Sequence, residues 1–205
     1  GIVAIPCVNM DERQKMADGN PWYLRRNTAS VDLNRNYPGD WQQVSFMYEC
    51  DSSLPGSGTY RGCAPASEPE TQAVISFIKH HRPSVLFSFH HLACVAGRVF
   101  LAPAAAAKDE TYKQNCQKVC DIYAQGYCDG YPDENLQEGG VKFTGTPGAI
   151  NTWCYREFGI PAFDVEWHRH PSLEKSLIDE TDIETLGRNQ KQHAAALLSL
   201  LKSMK

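Results

Sequence analysis

An α/β fold, with a mixed, largely parallel sheet and helices on both faces, is what this 205-residue sequence predicts. Three observations carry that expectation. Short apolar runs rich in β-branched and aromatic residues alternate with longer segments of helical periodicity, the pattern of strand–helix–strand units. The length suffices for one full domain with a buried core and is too short for two large ones, so residues 1–205 read as a single domain. The composition, 42% hydrophobic and 21% charged, is that of an ordinary globular protein.

The elements follow in order. "IVAIPCV" (2–8) reads as a buried strand bounded by Asn9. Residues 10–66 read as loop-rich and mostly irregular, with turn signals at Pro38-Gly39 and in "PGSG" (55–58). A long irregular stretch in a compact domain is usually functional, and Trp22, Tyr37 and Trp41 gather around its "DLNR" run. "SEPETQAVISFIKHHRP" predicts a helix: Ser67 and Glu70 have capping-box spacing, Pro69 fits the first turn, Ala73, Val74, Phe77 and Ile78 face inward, and Pro83 marks the stop. Residues 84–90 and 98–103 read as strands, 108–128 as a helix, and the polar stretch to about 140 as a loop. A short helix over 149–158 closes on Gly159, and 160–167 is a strand. Thr181 and Glu184 open a last helix that buries Ile183, Leu186, Ala194, Leu197, Leu201 and Met204. In open α/β sheets ligands bind at the carboxyl ends of strands. One strand ends in His90, another reaches Glu166, and with the DLNR run they predict one crevice.

A net charge of −4 and an isoelectric point near 6.0 argue against binding to nucleic acid or an anionic membrane. No run reaches the roughly eighteen apolar residues of a transmembrane helix, and the opening "GIVAIPCVNM" reads as a strand rather than a secretion signal. The eight cysteines include no CxxC pair, which argues against a zinc ribbon or a thioredoxin-like site. Cys50 and Cys63 flank a Gly/Ser/Pro loop and could pair in an oxidising compartment. The others read as buried thiols, Cys116 and Cys120 on one helix face. Cytoplasmic and periplasmic or secreted locations both stay open.

"SVDLNRNYPGDW" (30–41) sets an amide, Asn34, beside a guanidinium, Arg35. The planar fork of arginine matches a carboxylate, so the pair suits a free carboxylate such as a peptide C-terminus. Glu166 is a candidate general base, and His90 a candidate metal ligand or acid. On spacing alone, the commoner readings are a solvated or structurally paired arginine, a hydrogen-bonded histidine and a surface glutamate.

The runs "LRRNTASVDLNRNYP", "YRGCAPASEPETQAV", "VLFSFHHLACV" and "TPGAINTWCYREFGIPAFDVEW", in that order and with those gaps, resemble the zinc carboxypeptidase (funnelin) family, and within it the bacterial murein-peptide amidase type. The resemblance implies a Zn2+-dependent hydrolase that cuts a peptide bond next to a free carboxylate end, with a peptide or murein peptide as substrate. By that resemblance His90 is a zinc ligand, Glu166 the general base, Arg25 the arginine that steadies the developing oxyanion, and Asn34 with Arg35 the clamp on the substrate carboxylate.

Two departures accompany it. The family takes its other two zinc ligands from an HxxE motif before the DLNR run, and none of the histidines at 80, 81, 90, 91, 168, 170 and 193 has a glutamate three residues on. The sequence therefore reads as truncated, the other two ligands expected upstream of Gly1, with an exposed sheet edge available for self-association. By itself it is expected to hold no tight zinc and to hydrolyse nothing. His168 and His170 share a strand face with Glu166 and are the local replacement ligands to consider. The family's mobile tyrosine also has no match: Phe143 and Thr144 lie near its place, and Tyr131 is too far upstream. His80-His81 reads as a structural helix end. Ala149, Ile150, Asn151 and Thr152, just before Trp153, lie where the family sets side-chain preference. They suit a small or polar end group, including the carboxylated D-centre of diaminopimelate. The alternative to an enzyme is a binding module that keeps the Asn/Arg clamp without metal.

Overall fold

The computed structural model describes residues 1–19, 24–47, 49–90, 98–129, 140–167 and 183–204. In chain order the elements are α1 (Met10–Ala17), β1 (Phe46–Met47), β2 (Cys50–Asp51), α2 (Pro69–His81), β3 (Leu86–His90), β4 (Arg98–Pro103), α3 (Glu110–Cys128), β5 (Val141–Gly145), α4 (Ile150–Phe158), β6 (Ala162–Trp167) and α5 (Ile183–Ser203). The architecture is α/β, as expected. The chain divides into two compact units, each discontinuous: Gly1–Leu86 with Thr146–Ile160, and Phe87–Gly145 with Pro161–Lys205.

The first unit is built from loops, α1, α2, α4 and the small antiparallel hairpin β1–β2. The expected strand at 2–8 does not form. The segment is irregular, with bends at Pro6 and Val8, and joins no sheet among the described residues, and Ile2 (53%) and Val3 (50%) are exposed. Its apolar composition raises strand propensity, but a strand exists only where a neighbour completes its ladder. The loop-rich stretch opens with α1, with Asp11 and Glu12 in its first turn and Lys15 in its last.

Helix α2 starts and stops where expected, but the capping box does not form. Its N-cap is Glu68, and Ser67 Oγ donates to Glu68 Oε1 (2.7 Å). Glu70 instead accepts from Asn27 Nδ2 (3.2 Å). The inward face is Thr71, Val74 and Ile78. Ala73 is exposed.

The second unit holds an open, mixed four-stranded sheet in the order β3-β6-β4-β5, with β4 parallel to β5 and antiparallel to β6. Strand β5 was not expected from the sequence, because the short "VKFTG" run sits against a Gly-rich loop. Parallel pairing of Phe100 to Val141 and Ala102 to Phe143 holds it in place. Phe163 and Val165 project to one side of β6 and Asp164 and Glu166 to the other, all buried. Phe87, Phe100, Tyr123 and Phe163 form one aromatic cluster with centroids 5.2–5.7 Å apart in four of its pairs.

Helix α3 buries Tyr112, Cys116, Cys120, Tyr123 and Tyr127 along a helical stripe. Both cysteines are free thiols, as expected, and burial pushes Cys116 up to about 12 despite an opposing hydrogen bond from Tyr112. Helix α3 packs on α5 so closely that a Cβ on Gly126 would lie 2.9 Å from the Cα of Ala196 and 2.5 Å from Ser199 Oγ. That approach sets the rotation of α5. Its buried positions are Gln192, Ala196 and Leu200, whereas Ala194 and Met204, expected inside, are exposed. Thr181 lies outside the described residues. Cys50 and Cys63, the candidate disulfide, are free thiols. No described helix is long and apolar enough to cross a membrane.

Candidate functional site

The DLNR run folds as a 3-10 turn, Leu33–Arg35, with Asp32 as its N-cap. The buried Asp32 (3% exposed) divides its carboxylate between two tasks. Oδ1 accepts from the Asn34 N–H (3.2 Å), the short-range capping for which aspartate is suited. Oδ2 accepts from Arg25 Nε (2.8 Å) and Nη2 (2.7 Å). The Asp32 carbonyl also accepts from the Arg35 N–H (2.9 Å). Arg25, Asn34 and Arg35, three residues singled out from the sequence, are thus gathered around one carboxylate.

Arg35 is 4% exposed. Its Nη1 donates to the Asn34 carbonyl (2.7 Å), and its buried Nε has no hydrogen-bond partner among the described residues. Among the described residues no carboxylate pairs with it. A buried cation without an anion is costly unless a partner arrives, so this guanidinium is suited to receive one. The Asn34 amide is oriented by its oxygen, which accepts the Ile150 N–H at 3.0 Å. Helix α4 has no cap from its own N-cap residue, Ala149, so Asn34 satisfies that first-turn donor from 116 residues away.

The turn is locked onto the "TPGAIN" run by backbone contacts. Tyr37 N–H donates to the Gly148 carbonyl (2.9 Å), and Gly148 N–H to the Gly39 carbonyl (2.7 Å). Gly148 has φ +73, and a Cβ there would overlap the carbonyl oxygen of Arg35, so only glycine fits on both counts. Behind the turn, Asn36 donates to the carbonyl of Arg61 (2.8 Å) and to Ser67 Oγ (3.0 Å) and accepts from Glu68 N–H (3.2 Å). Asn27 likewise closes the preceding loop by accepting from Val31 N–H (2.9 Å) while donating to Glu68 Oε2 (2.8 Å). Ala149, Ile150, Asn151 and Thr152 are all buried. Thr152 Oγ1 donates to the Thr146 carbonyl (2.8 Å).

In the second unit, His90 ends β3 as expected. Its Nε2 lies 3.0 Å from Ser88 Oγ and 3.5 Å from Asp164 Oδ1. Glu166 is 5% exposed on β6, two residues from Asp164 and on the same strand face. Phe143 is half-buried and Thr144 exposed on β5. His168, His170, Trp22 and Tyr131 lie outside the described residues.

Comparison with known proteins adds to this geometry. The zinc carboxypeptidase family profile matches residues 1–190. The chain belongs to that family. Murein peptide amidase A of Escherichia coli K12 is 39% identical over 82 residues, 38% of this chain and 34% of that protein. Bovine carboxypeptidase O is 32% identical over 138 residues, 64% of this chain and 33% of that protein. The structure of bovine thrombin-activatable fibrinolysis inhibitor in complex with tick carboxypeptidase inhibitor superimposes with a TM-score of 0.71 at 18% identity, covering 97% of this chain and 67% of that one. The chain thus spans about a third of the length of these two curated relatives.

Zinc is the metal of the family. Among the described residues no group of three His, Cys, Asp or Glu side chains could hold a metal ion. His90 has the nitrogen chemistry of a ligand, but the described residues do not complete a zinc site.

Sequence reasoning missed Asp32, Asn36, Gly148 and Asp164. Two of these carried a signal. An aspartate two residues before the Asn-Arg pair has N-cap spacing, and Asp164 stands at strand period from Glu166. The roles of Asn36 and Gly148 depend on partners far along the chain.

Proposed function

We propose that this chain supplies the catalytic and substrate-binding residues of a zinc-dependent peptidase or amidase that cleaves a peptide bond next to a free carboxylate end. The observation that carries this reading is Arg35: a buried guanidinium with no carboxylate partner among the described residues, beside an amide of fixed orientation. A substrate carboxylate would answer the guanidinium with a charge-assisted, bidentate contact. Holding that end fixed sets which bond meets the reacting groups.

In this reading Glu166 takes the proton of the attacking water and hands it to the leaving amine. Arg25 faces the oxygen on which charge develops. His90 is the zinc ligand this chain offers, with the remaining ligands outside the described residues. Substrates with small or polar end groups, murein peptides among them, fit the reading best, because the buried Ile150–Thr152 stretch carries no charge to attract a basic end.

The test is release of the terminal amino acid from an N-blocked dipeptide acid by the full-length protein supplied with zinc. Turnover is expected to stop with a chelator, to fail with the C-terminal amide, and to fall at least about 10²-fold in Glu166→Gln, the lower range for loss of a general base. Turnover that ignores the free carboxylate would sink the proposal. A second reading is a binding module with a carboxylate clamp and no hydrolysis, which the same buried Arg35 would serve equally. Its signature is preference for the acid in binding with no turnover.

A further inference from the structure

We infer that Asp40 and Arg156 are positioning residues for the carboxylate clamp, acting through helix α4 as a lever on the Asn34 amide. The inference rests on the clamp role proposed for Asn34 and Arg35. Its own warrant is the way the 34–40 segment and the helix are fastened together.

Helix α4 meets that segment at three heights. At its first residue, the Ile150 N–H donates to Asn34 Oδ1 (3.0 Å). At its middle, Gly39 lies so close that a Cβ there would overlap the Trp153 backbone. Near its end, Arg156 donates Nε to Asp40 Oδ1 (3.1 Å) and Nη2 to Oδ2 (2.8 Å), a two-pronged contact that fixes direction as well as distance. The Asn34–Ile150 and Asp40–Arg156 bonds each span 116 residues, so segment and helix advance in register. Ile150 and Arg156 each stand three residues from Trp153, about 4.5 Å along a helix axis. Gly39 is thus a pivot between arms of equal length, and a displacement at Arg156 returns at Ile150 with about the same size. A drift of about 0.5 Å there carries the bond to the limit of hydrogen bonding. The amide beside Arg35 then loses its fixed orientation.

Two features separate this pair from an incidental surface contact. Asp40 holds φ +54, a left-handed conformation that costs an aspartate more than a glycine. The backbone alone would be better served by glycine, so the carboxylate is what the position retains. Lys79–Glu157, on the next residue of the same helix, is by contrast a single long contact (3.5 Å) with both side chains about half exposed. The Asp40 side chain is 17% exposed.

The sign of the effect separates positioning from simple charge. If the two residues acted only through their charges, losing Asp40 would strengthen binding of a carboxylate-ended ligand and losing Arg156 would weaken it. If they position α4, either loss weakens it.

The experiment compares the full-length protein with its Asp40→Gly, Arg156→Gln and Arg156→Lys variants. Each is titrated calorimetrically with an N-blocked dipeptide acid and its C-terminal amide, beside amide hydrogen exchange and unfolding midpoints. Asp40→Gly removes the ion pair and the left-handed strain together, so its midpoint should stay close to the parent's. Positioning predicts that the acid-over-amide preference falls about two- to fivefold in both Asp40→Gly and Arg156→Gln, the scale of one partly exposed ion pair. Exchange of the Ile150 N–H should quicken in the same two variants, and binding of the amide ligand should change little. Arg156→Lys, which keeps the charge without the fork, should recover only part of the preference. Unchanged preference in both variants, or changes of opposite sign, beside a parent that prefers the acid, overturn the inference and leave the clamp intact. A parent that binds acid and amide alike overturns the clamp reading, and this inference with it.

Discussion

The two compact units hold their candidate site residues by different physical means. In the first, Arg25, Asn34 and Arg35 stand on loops and a single 3-10 turn, fixed by hydrogen bonds from Asp32, Asn36 and Asn27 and by the fit of Gly148. In the second, His90 and Glu166 stand on strands of a sheet packed on an aromatic cluster. Directional bonds set atom positions in the first unit, and apolar burial with ladder pairing does so in the second. Polar networks are sensitive to single atoms, whereas an apolar core tolerates changes of shape that conserve volume.

The largest test of that contrast is Phe163→Ala. Emptying the centre of the aromatic cluster is expected to cost about 3–5 kcal/mol, read by denaturant unfolding. Phe163→Leu should cost far less, and equal losses would contradict the picture of a forgiving apolar core. Next is Gly148→Ala, which combines left-handed strain of about 1–2 kcal/mol with overpacking of about 1–3 kcal/mol. Its total is expected near 3 kcal/mol, together with loss of any preference for carboxylate-ended peptides. Retained preference would show that the turn does not need its lock. Asn36→Ala should cost about 2–3 kcal/mol by stranding buried donors and acceptors, while Asn36→Asp, of the same shape but without the amide donors, should recover little of it. A near-wild-type unfolding midpoint for Asn36→Asp would mean that shape, not bonding, sets the first unit.

The smallest effect concerns the thiols of the second unit. Burial holds Cys116 at about 12 against an ordinary 9.0, so its neutral form is favoured in the folded state. A group raised in this way contributes fully below pH 9 and loses its contribution as pH rises toward 12. Stability should therefore decline in that window, by less in Cys116→Ser than in the parent once the lower starting stability is subtracted. At pH 8, exposed Cys63 should react with iodoacetamide in the native protein while Cys116 and Cys120 stay unmodified.

What was legible in the sequence follows the same divide. Strands β3, β4 and β6 and helices α2, α3 and α4 were readable because apolar periodicity reports burial directly. The β5 strand was not, since five residues beside a Gly-rich loop carry little pattern and gain their identity from pairing with β4. The segment 2–8 failed in the opposite direction, having strand composition but no ladder among the described residues. In α5 the period was right and the phase wrong, because Gly126 on α3, not the helix's own apolar residues, decides which face is pressed inward. At the site, Asn34, Arg35, His90 and Glu166 stood out by residue chemistry and place, and Arg25 only by motif resemblance. Their supports did not, because Asn36 works through carbonyls about 25 residues away and Gly148 through the backbone of Arg35.

The capping of helix α4 by Asn34 bears on the order in which the chain can mature. The bond spans 116 residues, and the Gly148 contacts to Tyr37 and Gly39 span nearly as many. Contacts of such sequence separation form late, because the intervening loop must close before they repay its entropy. During synthesis at about 5–20 residues per second, the DLNR turn would wait roughly 6–23 s after emerging before its partner exists. Throughout that interval the nascent polypeptide would carry the turn unfinished, its Asn34 side chain oriented only by the arrival of Ile150 rather than by completion of its own loop.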